Sequence, residues 1–259
     1  MTFDLLPLGL CCLLVFFAGF VDSIAGGGGL ISLPTYFALG LPSHLALGTN
    51  KFSSFMGTLT STFRYWRAGK IHARVGLLSA AGALLGSAVG ARAALLVPAR
   101  VINTVMLVMV PLVLLFLLLK NRILPGLTAQ DADESRPVAH IGLKGLVVGV
   151  VIGVYDGFFG PGTGAFLTIG FHLGLRFDLL RASATARMTN LASNFGALAV
   201  FMANGQVIFP LAIYAAVAGI AGNQLGSRLA LKKGERVIKP IMVFVLLLLM
   251  AEVVRQRFF

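Results

Sequence analysis

Apolar residues fall into ten runs along the chain, at about 5–25, 29–41, 45–63, 75–95, 101–119, 141–159, 163–175, 186–203, 207–227 and 237–254. A helix that crosses a bilayer takes about 20 residues. Eight runs therefore predict full spans, and 29–41 and 163–175 predict short or broken helices. Each short run follows a glycine-rich interruption. The first interruption reads Gly19-Phe20-Val21-Asp22-Ser23-Ile24-Ala25-Gly26-Gly27-Gly28-Gly29-Leu30-Ile31-Ser32-Leu33-Pro34. A lipid-facing helix tolerates neither the carboxylate nor the four glycines. Glycine weakens a helix interior by up to about 1 kcal/mol per residue relative to alanine. A charge at the bilayer centre costs at least about 2.5 kcal/mol. Membrane proteins keep such features where the backbone breaks and lines a cavity.

The interruption recurs as Gly153-Val154-Tyr155-Asp156-Gly157-Phe158-Phe159-Gly160-Pro161-Gly162-Thr163-Gly164, which sets Asp156 134 residues after Asp22. Further matches extend the recurrence. Thr49-Asn50 pairs with Thr189-Asn190, with six extra residues in the second half. Gly69 pairs with Gly205, and Gly86-Ser87-Ala88-Val89-Gly90-Ala91-Arg92 with Gly222-Asn223-Gln224-Leu225-Gly226-Ser227-Arg228. The pattern predicts an all-α polytopic membrane protein of two five-segment repeats, 1–122 and 141–259, joined by a linker at 123–140.

Composition supports the membrane assignment and charge orients it. Of 259 residues, 58% are hydrophobic and 12% charged, against about 25% charged in soluble domains, and mean hydropathy is +0.92. A net charge of +12 in a soluble protein would suggest nucleic acid. Here the basic residues sit in short loops, the pattern of cytoplasmic loops, and no nucleic-acid partner is expected. Loop 64–74 (Arg64, Arg67, Lys70, Arg74) and loop 228–239 (Arg228, Lys232, Lys233, Arg236, Lys239) are expected inside. The mixed-charge linker region, with Lys120, Arg122, Arg136, Asp131, Asp133 and Glu134, is also expected inside. Loop 92–100, with only Arg92 and Arg100, and the uncharged loop 204–209 are expected outside, as are both termini. Loop 176–187 holds Arg176, Arg181 and Arg187. Matched loops thus carry opposite charge, which predicts an inverted-topology repeat, an arrangement typical of secondary transporters. Residues 1–10 contain no Lys or Arg, so the first run is expected to stay as a helix rather than act as a signal peptide.

The interruptions also carry the candidate chemistry. Gly26, Gly27, Gly28 and Gly29, and Gly160, Gly162 and Thr163, would present bare backbone N–H groups at helix starts, where anions bind. The alternative is that the glycines only permit close helix packing. Asp22 and Asp156 are candidates for proton coupling or gating, or for carboxylates that bond the freed amides. Asn50, Lys51, Ser53 and Ser54 form one polar cluster, with Asn50 and Ser54 on one helical face. Thr189, Asn190, Ser193 and Asn194 form another. Lys51 meets Leu191 in this match, and Arg187 could compensate. Both cations could instead snorkel to an interface, and the amides and hydroxyls could simply join helices. Tyr65 and Trp66 beside Arg64 and Arg67 suggest an interfacial anchor. Cys11 and Cys12 fit as small core residues. His44, His72, His140 and His172 show no ligand spacing, and no P-loop or nucleophile–base arrangement occurs. No metal, cofactor or enzymatic activity is expected.

Gly19 to Gly29, Thr49-Asn50-Lys51, Tyr155-Asp156-Gly157-Phe158-Phe159-Gly160-Pro161 and Gly226-Ser227-Arg228 together resemble the TauE/SafE sulfite exporter (TSUP) family of transporters, most closely its YfcA-type branch. The resemblance covers nearly the whole chain. It implies a bacterial inner-membrane transporter of sulfite, sulfonates or related sulfur-containing anions. The expectation is a secondary transporter of a small anion, held by the glycine-loop amides and Lys51 and moved by alternating access. An anion channel and a non-transporting membrane partner are the alternatives. The pattern is compatible with an oligomer but specifies none.

Overall fold

A computed structural model of the chain describes residues 5–102, 104 and 139–234. Eight helices have both ends among them: α1 (Leu5–Ala25), α2 (Gly29–Ala38), α3 (Ser43–Arg67), α4 (Ala73–Leu96), α5 (Ile141–Phe158), α6 (Thr163–Leu175), α7 (Leu179–Ala203) and α8 (Phe209–Lys233). Most of the predicted run 101–119, all of run 237–254, most of the linker 123–140 and the C-terminus lie outside the described residues.

The α1 and α6 bounds coincide with the predicted runs, whereas α7 starts at Leu179 rather than 186. Arg181 and Arg187 made that stretch look like a loop; both lie on the helix. Arg64, Arg67, Arg92 and Arg228, expected in loops, are helical as well. Long side chains at helix ends carry their charge out to the interface without ending the helix.

Unlike in a water-soluble protein, large apolar side chains face outward as well as inward, and several charged ones are buried. Leu85, Val151 and Val217 are more than 60% exposed, while Lys51, Asp156 and Arg187 are at most 2% exposed. Among the described helices, α1, α4 and α5 are both long enough and apolar enough to cross a membrane. α3, α7 and α8 have 25 residues each; the polar side chains they bury lower their hydropathy. α2 and α6, with 10 and 13 residues, extend about 15 and 20 Å at 1.5 Å per residue, short of the roughly 30 Å hydrocarbon core.

Small residues set the packing. α4 lies along α5, with the backbones of Gly82, Gly86 and Gly90 against residues 146–158 and those of Gly149, Gly153 and Gly157 against Ser79, Ala83 and Ser87. Both numberings rise together, so the two helices run parallel. α1 and α8 pack in the same way, through Gly222 and Gly226 on Phe16 and Phe20. α3 runs antiparallel to α7: Thr49 near its start accepts a hydrogen bond from the Ile208 N–H beyond the end of α7, and the His72 N–H beyond its own end donates to Thr185 near the start of α7, both at 3.1 Å. Those two bonds are counterparts. Thr49 and Thr185 each lie six residues into a 25-residue helix, and His72 and Ile208 each precede the next one.

This register corrects the match of Thr49-Asn50 to Thr189-Asn190. Lys51 lies eight residues after Ser43, the start of α3, and Arg187 lies eight residues after Leu179, the start of α7. Counted from the helix starts, Lys51 therefore shares its position with Arg187 rather than with Leu191. The Thr-Asn match is displaced by four residues, about one helical turn, which keeps a similar face and so looks consistent in sequence.

Candidate functional site

α1 and α5 both end at a left-handed glycine, Gly26 at φ +73° and Gly160 at φ +98°, a conformation glycine adopts without steric cost. After each break a short helix begins, α6 behind a second left-handed residue, Gly162. The two breaks face each other. Gly26 lies against the backbone of Gly164 and Ala165, and Gly29 against Gly160 and Pro161. Any side chain at Gly26 would overlap the opposite backbone, so close approach and chain reversal both require glycine there.

Each break carries an aspartate in the last turn of the preceding helix, and, taking α1–α4 and α5–α8 as two series in chain order, each aspartate pairs with a cation from the other series. Arg187 Nη1 on α7 donates to Asp22 Oδ2 on α1 at 2.7 Å. Lys51 Nζ on α3 donates to Asp156 Oδ2 on α5 at 2.8 Å. Lys51 and Arg187 thus neither snorkel nor lie in loops. Both carboxylates also bond their own breaks. Asp22 Oδ1 accepts the Gly28 N–H at 3.2 Å. Asp156 accepts the hydroxyls of Thr163 at 2.7 Å and Ser193 at 2.5 Å. Tyr155 OH donates to Pro161 O at 2.6 Å and fixes the second break further. Removing one member of such a buried pair strands the other in low dielectric, at a cost of about 3–5 kcal/mol.

The two pairs differ in surroundings. The Asp156 side chain is 3% exposed and that of Asp22 15%. Asp22 lines a cavity of about 20 Å³ together with Gly28, Ser32, Ser53, Ser54 and Asn223. That volume suits a group the size of a water molecule, so a larger solute enters only when the helices part.

Most of the residues singled out from sequence converge here. Asp22, Gly26, Gly28, Gly29, Gly160, Thr163, Asp156 and Lys51 lie at the two breaks. Gly27 lies within the first break, Gly162 caps α6 and Ser54 lines the cavity. The Asn50 side chain accepts the Ser32 hydroxyl at 2.6 Å, tying α3 to α2. Asn190 and Asn194 are buried on α7, beyond Arg187. Thr189 lies elsewhere: its hydroxyl is 2.6 Å from that of Ser79 and fastens α7 to α4. Tyr65, expected as an interfacial anchor, is wholly buried and donates to Ser23 O at 2.8 Å. Its neighbour Trp66 is half exposed.

Sequence reasoning placed Ser53 and Ser193 in the two polar clusters and offered Arg187 only as a compensating cation, and it gave the side chains of Ser32 and Asn223 no role. Helix starts would have found Arg187, and the Gly86-to-Gly222 match already placed Asn223 opposite Ser87. His44, His72 and His172 bond nearby backbone instead of one another.

The family model described as sulfite exporter TauE/SafE matches residues 11–253. The chain belongs to the TauE/SafE family. The probable membrane transporter protein ORF9 of Sinorhizobium sp is 37% identical over 234 residues, 89% of this chain and 85% of that one. The probable membrane transporter protein YfcA of Escherichia coli (strain K12) is 34% identical over 241 residues, 93% of this chain and 87% of that one. A probable membrane transporter protein of Haemophilus influenzae is 33% identical over 254 residues, covering 98% and 96% of the two chains. No solved structure matches. All three relatives are named as probable membrane transporters, not as enzymes, and the apolar helices of this chain suit a multi-pass membrane protein.

Proposed function

We propose that this TauE/SafE protein is a secondary transporter that moves a small anion, sulfite or an organosulfonate, across the bacterial inner membrane by alternating access. The observation that carries the proposal is the crossed pairing of Asp22 with Arg187 and Asp156 with Lys51 where the two glycine breaks meet. An anion arriving there finds backbone amides at helix starts and two buried cations. It competes with an aspartate for its cation. Protonating an aspartate releases its cation, so proton and anion movements become linked. Asn50, Ser54, Asn190 and Asn194 shape the surroundings. The family's description as sulfite exporters supports the cargo class.

The same reading makes the two series of helices an inverted repeat. Its support is the sense of the packing: α1 runs with α8 and α3, α5 runs with α4 and α7, and α3 opposes α7. The first helices of the two series then point opposite ways. Loop charge supports it too, because Arg67, Lys70 and Arg74 flank the α3–α4 turn while the α7–α8 turn at 204–208 has no charge. The N-terminus is then periplasmic. Rocking one series against the other exposes the breaks to each side in turn.

Liposomes holding the purified protein test this function. Uptake of radiolabelled sulfite or methanesulfonate, driven by an imposed proton gradient, is the expected result. Absence of flux under any gradient overturns it. Channel-like currents without proton coupling would assign a pore instead.

A further inference from the structure

The two buried cations are not interchangeable. Lys51 uses one ammonium to hold Asp156, so a lysine suffices for a cross-series ion pair at this position of the helix. Arg187 holds Asp22 through Nη1 alone. Its Nε and Nη2, which share the opposite edge of the guanidinium, have no hydrogen-bond partner among the described residues, and the side chain is 0% exposed. Two parallel N–H groups on one edge match two oxygens on a single central atom. Buried polar groups of this kind rarely stay unpaired.

The free edge has a definite neighbourhood. Nη2 lies directly against Gly164, in the first turn of the 13-residue helix α6. The opening amides of that helix carry partial positive charge. Gly26 of the opposite break presses on the same backbone. No side chain intervenes, because any Cβ on Gly164 would overlap the guanidinium.

We infer that the Nε–Nη2 edge of Arg187, with the first turn of α6, is where two oxygens of the transported anion bind, while Lys51 and Asp156 serve mainly as a fixed bracket. This rests on the anion-transport reading above and names the atoms that hold the oxyanion. A halide meets the fork with a single acceptor atom, whereas a sulfite or sulfonate places one oxygen on each N–H.

Arg187→Lys tests the assignment, since it keeps the charge and the pairing with Asp22 but removes the fork. The binding of sulfite and methanesulfonate is measured by thermal shift of the purified protein, with chloride as control. The wild type is expected to respond to one or both oxyanions and not to chloride, and Arg187→Lys to weaken oxyanion binding about tenfold or more. An oxyanion response kept at full strength in Arg187→Lys overturns this inference and leaves the transport reading standing. A wild type that responds to neither oxyanion overturns both. Should Arg187→Lys not fold, arginine-15N NMR of the wild type decides: the Arg187 Nε–H resonance moves on adding the oxyanion, or the inference fails.

Discussion

Lys51 and Arg187 occupy the same position in two 25-residue helices, and each reaches across to the aspartate at the other series' break. Chemically different side chains thus do one job twice. The arrangement places four ionisable groups inside a helical body whose exposed surface is apolar. That is costly to build, and the cost is offset only if each charge keeps its partner.

The first prediction concerns that offset. Asp156→Ala leaves Lys51 buried beside two hydroxyl donors, Thr163 and Ser193, with no carboxylate. The expected loss is about 3–5 kcal/mol, visible as a large fall in melting temperature in detergent. Adding Lys51→Met should recover a substantial part of it, because the stranded charge is then gone. A double variant no more stable than the single one would show that the pair is not the reason for the loss.

Glycine positions separate two effects. Gly26 has φ +73° and also faces the backbone of Gly164 and Ala165. Gly205 has φ +66° with open space around it. Alanine at 205 should cost only the left-handed strain, about 1–2 kcal/mol. Alanine at 26 should cost much more, because the two breaks must also move apart. Melting temperatures of the two variants, measured side by side, check the order.

The α4–α5 seam gives a third test. Gly149 and Gly153 on α5 lie on the backbone of Ser79 and Ala83. Leucine at either position should abolish folded, monodisperse protein, since small residues are what let these backbones approach. Gly174, with nothing near it, should accept alanine with a change of about 0.5 kcal/mol or less. Size-exclusion profiles of the detergent-solubilised variants give the readout.

Much of this was legible in the chain. The bounds of α1 and α6 followed from apolar runs ended by glycine and charge, and the breaks followed from Asp22 and Asp156 beside their glycines. What misled was a buried cation. Arg187 inside α7 has the same one-letter appearance as Arg181 near the helix start, and hydropathy cannot tell a paired interior charge from a loop charge. That error delayed the start of α7 by seven residues and allowed the Thr-Asn coincidence to set the register. Tyr65 was misplaced for a related reason: aromatic residues beside arginines mark an interface only when they face outward, and Tyr65 turns inward to Ser23. Asn223 stood in the Gly222-to-Arg228 match, but its place at the site depends on Gly19 and Gly57, which make room for it from two other helices.

The most direct measurement is radiolabelled sulfite uptake into liposomes containing the wild type or Asp22→Asn, under an inward proton gradient. Asparagine cannot take up or release the proton and leaves Arg187 without its counter-charge. Uptake well above empty liposomes in the wild type, lost in Asp22→Asn, is the predicted result. Equal uptake by both proteins would contradict the role assigned to the crossed pairs, and no uptake by the wild type of sulfite or methanesulfonate would contradict the transport reading itself.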